Sequence, residues 1–317
     1  MDFLFVIDAP DSLKAYKDTS VAMMRAAQKR GHAVWVCEQP SLHWREGRVG
    51  AAVQRISLAD NDEDWYRGTG KGMRTSVRPL AEFDAVLMRK DPPFDLEYVT
   101  STWLLSAAVR EGARVYNAPD AIRDHNEKLA IAEFARFAAP TLVSREPERI
   151  QTFIDAERDV VVKRLDVMGG ENVFRVRVDD PNRNVIVETI SQGGRRTVMA
   201  QRFIPEIAQG DKRVLLIDGA LVPHCLARIP KTGDSRGNLA AGARGVAQPL
   251  TRRHREIGEA LGPALAKRGL LVVGLDVIGD YLTEVNVTSP TCFREIQDQT
   301  GFDVSGMFLD ALEKKIK

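Results

Sequence analysis

Residues 3–7 form an unbroken apolar run at the head of the chain, the pattern of a strand buried on both faces. Asp18, Thr19 and Ser20 then offer caps for a helix through Val21, Met24 and Ala27, which stops at Arg30-Gly31. Residues 33–37 read as a second strand, so this order predicts a right-handed crossover between parallel neighbours. Residues 40–82 lack a clear period and carry Gly47, Gly50 and a glycine-rich stretch from Gly68 to Gly72. They read as loops with an acidic segment around Asp60 and Asp64. A strand at 85–88, a helix at 97–111 closed by Gly112, and a strand at 114–116 complete this part.

After Asn117-Ala118-Pro119 the pattern changes. A helix over 126–137 precedes a strand at 141–144, a short helix at 148–156 and a β-branched strand at 160–163. Further strands are expected at 173–178, 197–203 and 213–217, with 228–245 as a long loop. A helix over 253–268 leads into paired strands at 271–278 and 281–287, and a last helix covers 304–315. The fold class is therefore α/β: a parallel-sheet, Rossmann-like domain over 1–122, then an α+β unit over 123–317.

The chain's 317 residues agree with this division at roughly 150 residues per domain, and 44% hydrophobic residues suffice for sizeable cores. Lys and Arg total 45 against 44 Asp and Glu, so no global field attracts nucleic acid or an anionic membrane. Cys37, Cys225 and Cys292 lie far apart and form no CxxC, which argues against a disulfide scaffold and for a reducing compartment. The N-terminus has no basic n-region, and no apolar run approaches a membrane span. The expectation is a cytoplasmic protein.

The stretch from Gly68 to Gly72 follows no strand and departs from the dinucleotide fingerprint, and no P-loop occurs. The five histidines show no metal-ligand spacing, and His125 is read as structural. Arg252 to Arg255 reads as the solvated start of a helix. Asp276 is more informative, because a carboxylate inside the strand 271–278 is costly unless paired or metal-bound. Glu284 and Asn286 project from one face of the next strand. Together the three suit Mg²⁺, provided the turn at Gly279-Asp280 is irregular: a plain two-residue turn pairs Asp276 with Thr283, whereas a three-residue loop or a bulge pairs it with Leu282. The other reading is a strand-edge carboxylate held by arginine or backbone amides.

Lys163 ends an apolar strand shortly before Asp166-Val167-Met168-Gly169-Gly170. It either presents an ammonium and backbone amides to phosphates or simply precedes a hairpin turn. The segment 228–245 holds Arg228, Lys231, Arg236 and Arg244 against Asp234, a local charge of +3 that suits folding over an anionic substrate.

These residues fall into an order: Met88-Arg89-Lys90-Asp91-Pro92-Pro93-Phe94-Asp95, Asn126-Glu127-Lys128, Asp211-Lys212-Arg213, Leu226-Ala227-Arg228-Ile229-Pro230 and Arg236-Gly237-Asn238-Leu239-Ala240-Ala241-Gly242. Gly274-Leu275-Asp276, Thr283-Glu284-Val285-Asn286-Val287-Thr288-Ser289-Pro290-Thr291 and Arg294-Glu295-Ile296 complete it. Over nearly its whole length the chain resembles bacterial glutathione synthetase of the ATP-grasp superfamily. The resemblance implies a substrate-binding N-terminal domain and an ATP-grasp unit in two halves, about 123–200 and 201–317. It also implies ATP-dependent ligation of γ-glutamylcysteine to glycine.

By the same resemblance, Lys128, Lys163, Asp166, Met168, Gly169 and Gly170 meet the ATP phosphates. Met199, Gln201, Arg202, Phe203 and Ile204 receive adenine, with Asp211 near the ribose. Asp276, Glu284 and Asn286 match the ligands of Mg²⁺, with Mn²⁺ as an alternative ion. Arg213, Arg228 and Arg236 are the implied catalytic groups, and Lys17, Arg89, Asp91, Asn238, Ser289 and Arg294 the implied substrate contacts. A homo-oligomer, by resemblance a tetramer, is expected. The family usually has glycine where Val167 and Ala243 stand. Valine does not take positive φ comfortably, so a stiffer small loop is expected.

Overall fold

The computed structural model describes residues 1–317 apart from 69–74, 168, 234–235 and 240–241. Met168 and most of the stretch from Gly68 to Gly72 thus lie outside the described residues. The N-terminal part runs β1 (Asp2–Ile7), α1 (Thr19–Lys29), β2 (Ala33–Glu38), β3 (His43–Arg45), β4 (Arg48–Leu58), β5 (Tyr66–Gly68), β6 (Ser76–Pro79), β7 (Ala85–Met88), α2 (Leu96–Arg110) and β8 (Val115–Tyr116). β1 pairs in parallel with β2 and β7, and β7 with β8. Phe3, Phe5 and Ile7 pack on Met23 and Met24 of α1, while Leu4 and Val6 face Tyr98 and Leu105 of α2. Burial on both faces is what the unbroken apolar run predicts.

Residues 40–82 correct the sequence reading. They supply β3 to β6, with β4 antiparallel to β2 and bonded to the other three. Val49, Ala51 and Val53 alternate inward, but Gly50 and the small alanines dilute a signal that ladder pairing completes.

The middle part runs α3 (Pro119–Asp124), a 3₁₀ segment (Leu129–Phe137), β9 (Thr141–Ser144), α4 (Pro147–Glu157), β10 (Asp159–Arg164), β11 (Val173–Arg177), α5 (Arg183–Ser191) and β12 (Val198–Arg202). The single helix expected over 126–137 is instead a 3₁₀ segment that starts at Leu129 and is kinked at Phe134 (φ −119°, ψ 36°). Pro119 opens α3 early, and the Asn126 side chain then accepts the backbone N–H groups of Lys128 and Leu129, a turn that interrupts helix. α5 is additional to the expected elements. β11-β10-β12-β9 is an antiparallel sheet.

The last part runs β13 (Asp211–Ile217), β14 (Ala220–Ile229), β15 (Arg244–Pro249), α6 (Arg252–Lys267), β16 (Val272–Ile278), β17 (Tyr281–Asn286), α7 (Phe293–Thr300) and α8 (Val304–Ile316). Its antiparallel order is β15-β14-β13-β16-β17. The long loop expected at 228–245 is shorter, because Arg228 pairs with Gly245 and Ile229 with Arg244 across β14 and β15. α7 is also additional. It packs Phe293 and Ile296, together with Phe308 of α8, into the core beneath β1. Among the described residues no helix is long and apolar enough to cross a membrane.

Asn117 fastens the first part to the last. Its Nδ2 donates to Val272 O and Val287 O at 2.8 Å each, and its Oδ1 accepts from Val272 N at 2.9 Å. Asn117→Ala leaves these buried backbone groups without partners and is expected to cost about 3 kcal/mol. Urea unfolding checks this, and a loss below about 1 kcal/mol contradicts it.

Candidate active site

Two cavities meet where these three parts converge. The larger, about 500 Å³, is lined by Lys17, Asp91, Lys128, Gly169, Gly170, Arg213, Arg228, Asn286 and Ser289, among others. The smaller, about 100 Å³, is lined by Lys163, Gln201, Arg202, Phe203, Ile204, Asp211 and Arg236. Asn238, Asp276 and Glu284 line both. Residues far apart in sequence thus reach one place.

The β16–β17 hairpin answers the register question in an unforeseen way. Its turn is the short one, with Ile278 paired to Tyr281 and Val277 to Leu282, but a bulge at Thr283 shifts the next pair so that Asp276 faces Glu284. Gly274 then faces Asn286. Asp276, Glu284 and Asn286 therefore share a face, through a two-residue turn plus a bulge and without the Leu282 pairing.

Arginine also holds Asp276. Arg213 Nε reaches Oδ1 at 2.6 Å and Nη2 reaches Oδ2 at 3.2 Å, a bidentate fork between paired strands. Arg228 Nη2 lies 2.9 Å from Asp276 Oδ2 and 2.6 Å from Asp211 Oδ2. Burial acts to raise the Asp276 carboxyl, but the two guanidinia outweigh it and hold it well below the usual carboxylate range. Asp211 moves the other way: burial raises it, Arg228 offsets only part, and the Asp276 charge adds to the rise. The network is two arginines shared between two carboxylates.

Glu284 faces the lysines, with Lys128 Nζ at 3.6 Å and Lys163 Nζ at 3.9 Å. Burial lowers the Lys163 pKa, and Glu284 opposes that shift. Lys128 also donates to Val167 O at 2.6 Å, tying it to the small loop, in which Gly169 (φ +70°) and Gly170 (φ +83°) are left-handed. A Cβ on Gly170 would sit 2.7 Å from Asn238 Oδ1, so this glycine lets the small loop lie against the large one.

Other expected site residues are placed less directly. Asp166 is exposed and pinned by Arg164 at 2.7 and 2.9 Å and by Arg196 at 3.0 Å, outside both cavities. Met199 of β12 is fully buried in the core. Arg89 is buried and lines neither cavity, donating to Ser20 Oγ at 3.1 Å and Pro290 O at 2.8 Å. Arg294 turns toward Ala15 O, Asp62 and Asp298. His125 is structural, as expected, between Ala121 O and Arg268.

Sequence reasoning passes over Glu127, although it singles out the neighbours. The Oε1 of Glu127 accepts from Val287 N, Thr288 N and Thr288 Oγ1 at 2.8–3.0 Å, clamping the end of β17 beside Lys128. The short Asn-Glu-Lys string is its only sequence signal. Cys292 also lines the larger cavity, with its thiol pushed up to about 11 chiefly by burial. Ellman's reagent should therefore react slowly near neutral pH, with a rate rising roughly tenfold per pH unit from 8 to 10 as thiolate accumulates. One slow phase should vanish in Cys292→Ser, and a pH-independent rate for that phase contradicts the assignment.

Residues 1–123 match the family model of the prokaryotic glutathione synthetase N-terminal domain, and residues 127–301 that of the prokaryotic glutathione synthetase ATP-grasp domain. Glutathione synthetase of Ralstonia nicotianae is 55% identical over 314 residues, covering 99% of this chain and 96% of that protein. The Bordetella parapertussis glutathione synthetase is 56% identical over 317 residues, covering 99% of each. The crystal structure of the D-cycloserine synthetase DcsG superposes with a TM-score of 0.70 at 17% identity over the full length of both chains, a likeness of fold. Two family models matched in sequence order, with more than half the positions shared with bacterial relatives end to end, make this chain a member of the prokaryotic glutathione synthetase family, built on the ATP-grasp fold.

Proposed function

We propose that this chain is an ATP-dependent carbon–nitrogen ligase, a glutathione synthetase, joining γ-L-glutamyl-L-cysteine to glycine while ATP becomes ADP and phosphate. The observation that carries this reading is the buried Arg213–Asp276–Arg228–Asp211 network where the two cavities meet. A carboxylate is a poor acyl donor, so the dipeptide's cysteinyl carboxylate is first phosphorylated, and glycine's amine then displaces phosphate. Phosphoryl transfer calls for positioning and charge neutralisation more than for a strong base.

In this reading the smaller cavity takes adenine against Gln201, Arg202, Phe203 and Ile204, with Asp211 at the ribose. Lys163, Lys128, Gly169 and Gly170 meet the phosphates, with Asp166 and Met168 in the same small loop. The larger cavity takes the dipeptide, with Lys17, Asp91, Asn238 and Ser289 on its walls and Arg89 and Arg294 supporting them. Arg213 and Arg228 stabilise the acyl phosphate and the tetrahedral intermediate. Arg236 and its loop exclude water from an acyl phosphate that water would destroy.

Glu284, Asn286 and Asp276 fit Mg²⁺, or Mn²⁺ in its place. They are hard oxygen donors on one face, and Asn286 gives its Nδ2 to Gly274 O, turning its amide oxygen away from that bond. Asp276 keeps room for a cation beside its three arginine contacts, since a carboxylate offers about four acceptor sites. The ion would supply charge neutralisation on the phosphates. Further parts of this proposal are a substrate domain ending near residue 122, a cytoplasmic location and a homotetramer, which sedimentation velocity checks.

ADP release tests the reading. Turnover that requires both γ-glutamylcysteine and glycine supports it. Turnover with other acid and amine pairs alone makes the chain a different ligase. No turnover with any pair makes it a nucleotide-binding module.

A further inference from the structure

β17 is the end strand of its sheet, so the backbone N–H groups on its outer edge face no neighbouring strand. Glu127 takes that place. Its backbone oxygen accepts from Val285 N at 2.8 Å, and its Oε1 accepts from Val287 N at 2.8 Å. The same Oε1 accepts from Thr288 N at 3.0 Å and Thr288 Oγ1 at 2.8 Å. One residue thus bonds this edge as a short strand would, and none of the donors it holds is charged. The two amides held along the strand alternate with Glu284 and Asn286, the side chains proposed for the cation. Fixing positions 285 and 287 therefore fixes how 284 and 286 stand on the pleat.

The residues on either side of Glu127 reach the opposite wall. Asn126 Nδ2 donates to Leu165 O at 2.9 Å, just past the end of β10. Lys128 Nζ donates to Val167 O at 2.6 Å and stands 3.6 Å from Glu284. The turn is itself stiffened, because Asn126 Oδ1 accepts from Lys128 N and Leu129 N at 3.2 and 3.0 Å. Three consecutive residues thus span from the small loop to the strand that carries Glu284 and Asn286. Mg²⁺ tolerates little error in the placement of its oxygen donors, so a cation shared by protein and phosphates needs both walls at a set separation.

We infer that Glu127 is a positioning residue, which sets the separation between the metal-ligand strand and the phosphate loop. Its carboxylate acts through Glu284 and Asn286 and needs no contact with the cation, as partners behind metal ligands commonly do. This deepens the ligase reading and rests on its metal site, but not on its substrates.

The test counts Mn²⁺ bound to the full-length protein with a non-hydrolysable ATP analogue, using the EPR signal of the free ion. Metal-free binding of ADP, in EDTA, is measured beside it. Glu127→Ala should weaken Mn²⁺ binding about tenfold or more, with metal-free ADP affinity within about twofold of wild type. Glu127→Gln keeps an oxygen for the same donors and should hold Mn²⁺ within about threefold of wild type. An alanine variant that binds Mn²⁺ as the wild type does overturns the assignment. So does one that loses Mn²⁺ and metal-free ADP in the same proportion, which is a general loosening, or a glutamine variant as weak as the alanine. Should Glu127→Ala not fold, Thr288→Val decides: it removes one donor to Oε1 and should weaken Mn²⁺ binding about threefold, and no change overturns the inference. A wild type that binds Mn²⁺ yet turns over no γ-glutamylcysteine with glycine overturns the ligase reading alone.

Discussion

Arg228→Lys is expected to lower kcat by roughly 10²–10³, with ATP binding retained. Arg228 is buried and one of its nitrogens lies within 3 Å of two carboxylates, 2.6 Å from Asp211 and 2.9 Å from Asp276. Lysine keeps the charge but cannot reproduce a planar group that bridges two carboxylates and still offers N–H groups to a reacting carboxylate. Arg228→Ala is a poorer test, because it leaves Asp211 and Asp276 underneutralised in the interior, a change that typically costs several kcal/mol in stability. The lysine variant should unfold within a few degrees of the wild type, so that lost rate reports chemistry. Steady-state kinetics with calorimetric ATP binding checks this, and a kcat within threefold of wild type removes Arg228 from the catalytic groups.

Glu284→Gln should raise the Mg²⁺ concentration for half-maximal activity by about tenfold or more. Two effects act in the same direction. The cation loses one of two carboxylates, and Lys128 and Lys163, at 3.6 and 3.9 Å, lose their common counter-charge. Because burial already lowers Lys163 and Glu284 opposes it, the variant's Lys163 moves further toward its neutral form, which weakens its hold on phosphates. KM for ATP should therefore rise as well, and more steeply at alkaline pH, where the neutral lysine gains. Titration of activity with Mg²⁺ at pH 7 and pH 9 separates the two effects. An unchanged Mg²⁺ requirement rules out Glu284 as a ligand, whatever happens to ATP affinity.

Much of the fold is legible in the order of residues alone. The doubly buried β1, the Asp18-capped α1, the hairpin of β16 and β17 and the terminal α8 all follow from local rules of apolar run, cap and turn. The elements those rules miss share a cause. β4 is diluted by small residues, β14 and β15 border a glycine-rich loop, and α5 and α7 are short. Each is stabilised mainly by neighbours distant in sequence.

For the site, the sequence by itself determined the chemical inventory and the family: the charged residues, their order, and the oxygen donors of β16 and β17. A carboxylate's identity is local, and so is a motif. The tertiary structure alone decided how they are used. The bulge at Thr283, invisible in periodicity, sets Glu284 opposite Asp276, and Arg213 and Arg228 hold that carboxylate, which the proposed metal site would share. The near-balance of charge along the chain likewise says nothing of where charges meet. Strand pairing of β13 with β14 and β16 brings Arg213 and Arg228 onto Asp276 across 63 and 48 positions, and burial turns that meeting into strong coupling. Register and burial are properties of contacts between distant segments, which is why only the folded chain reveals them.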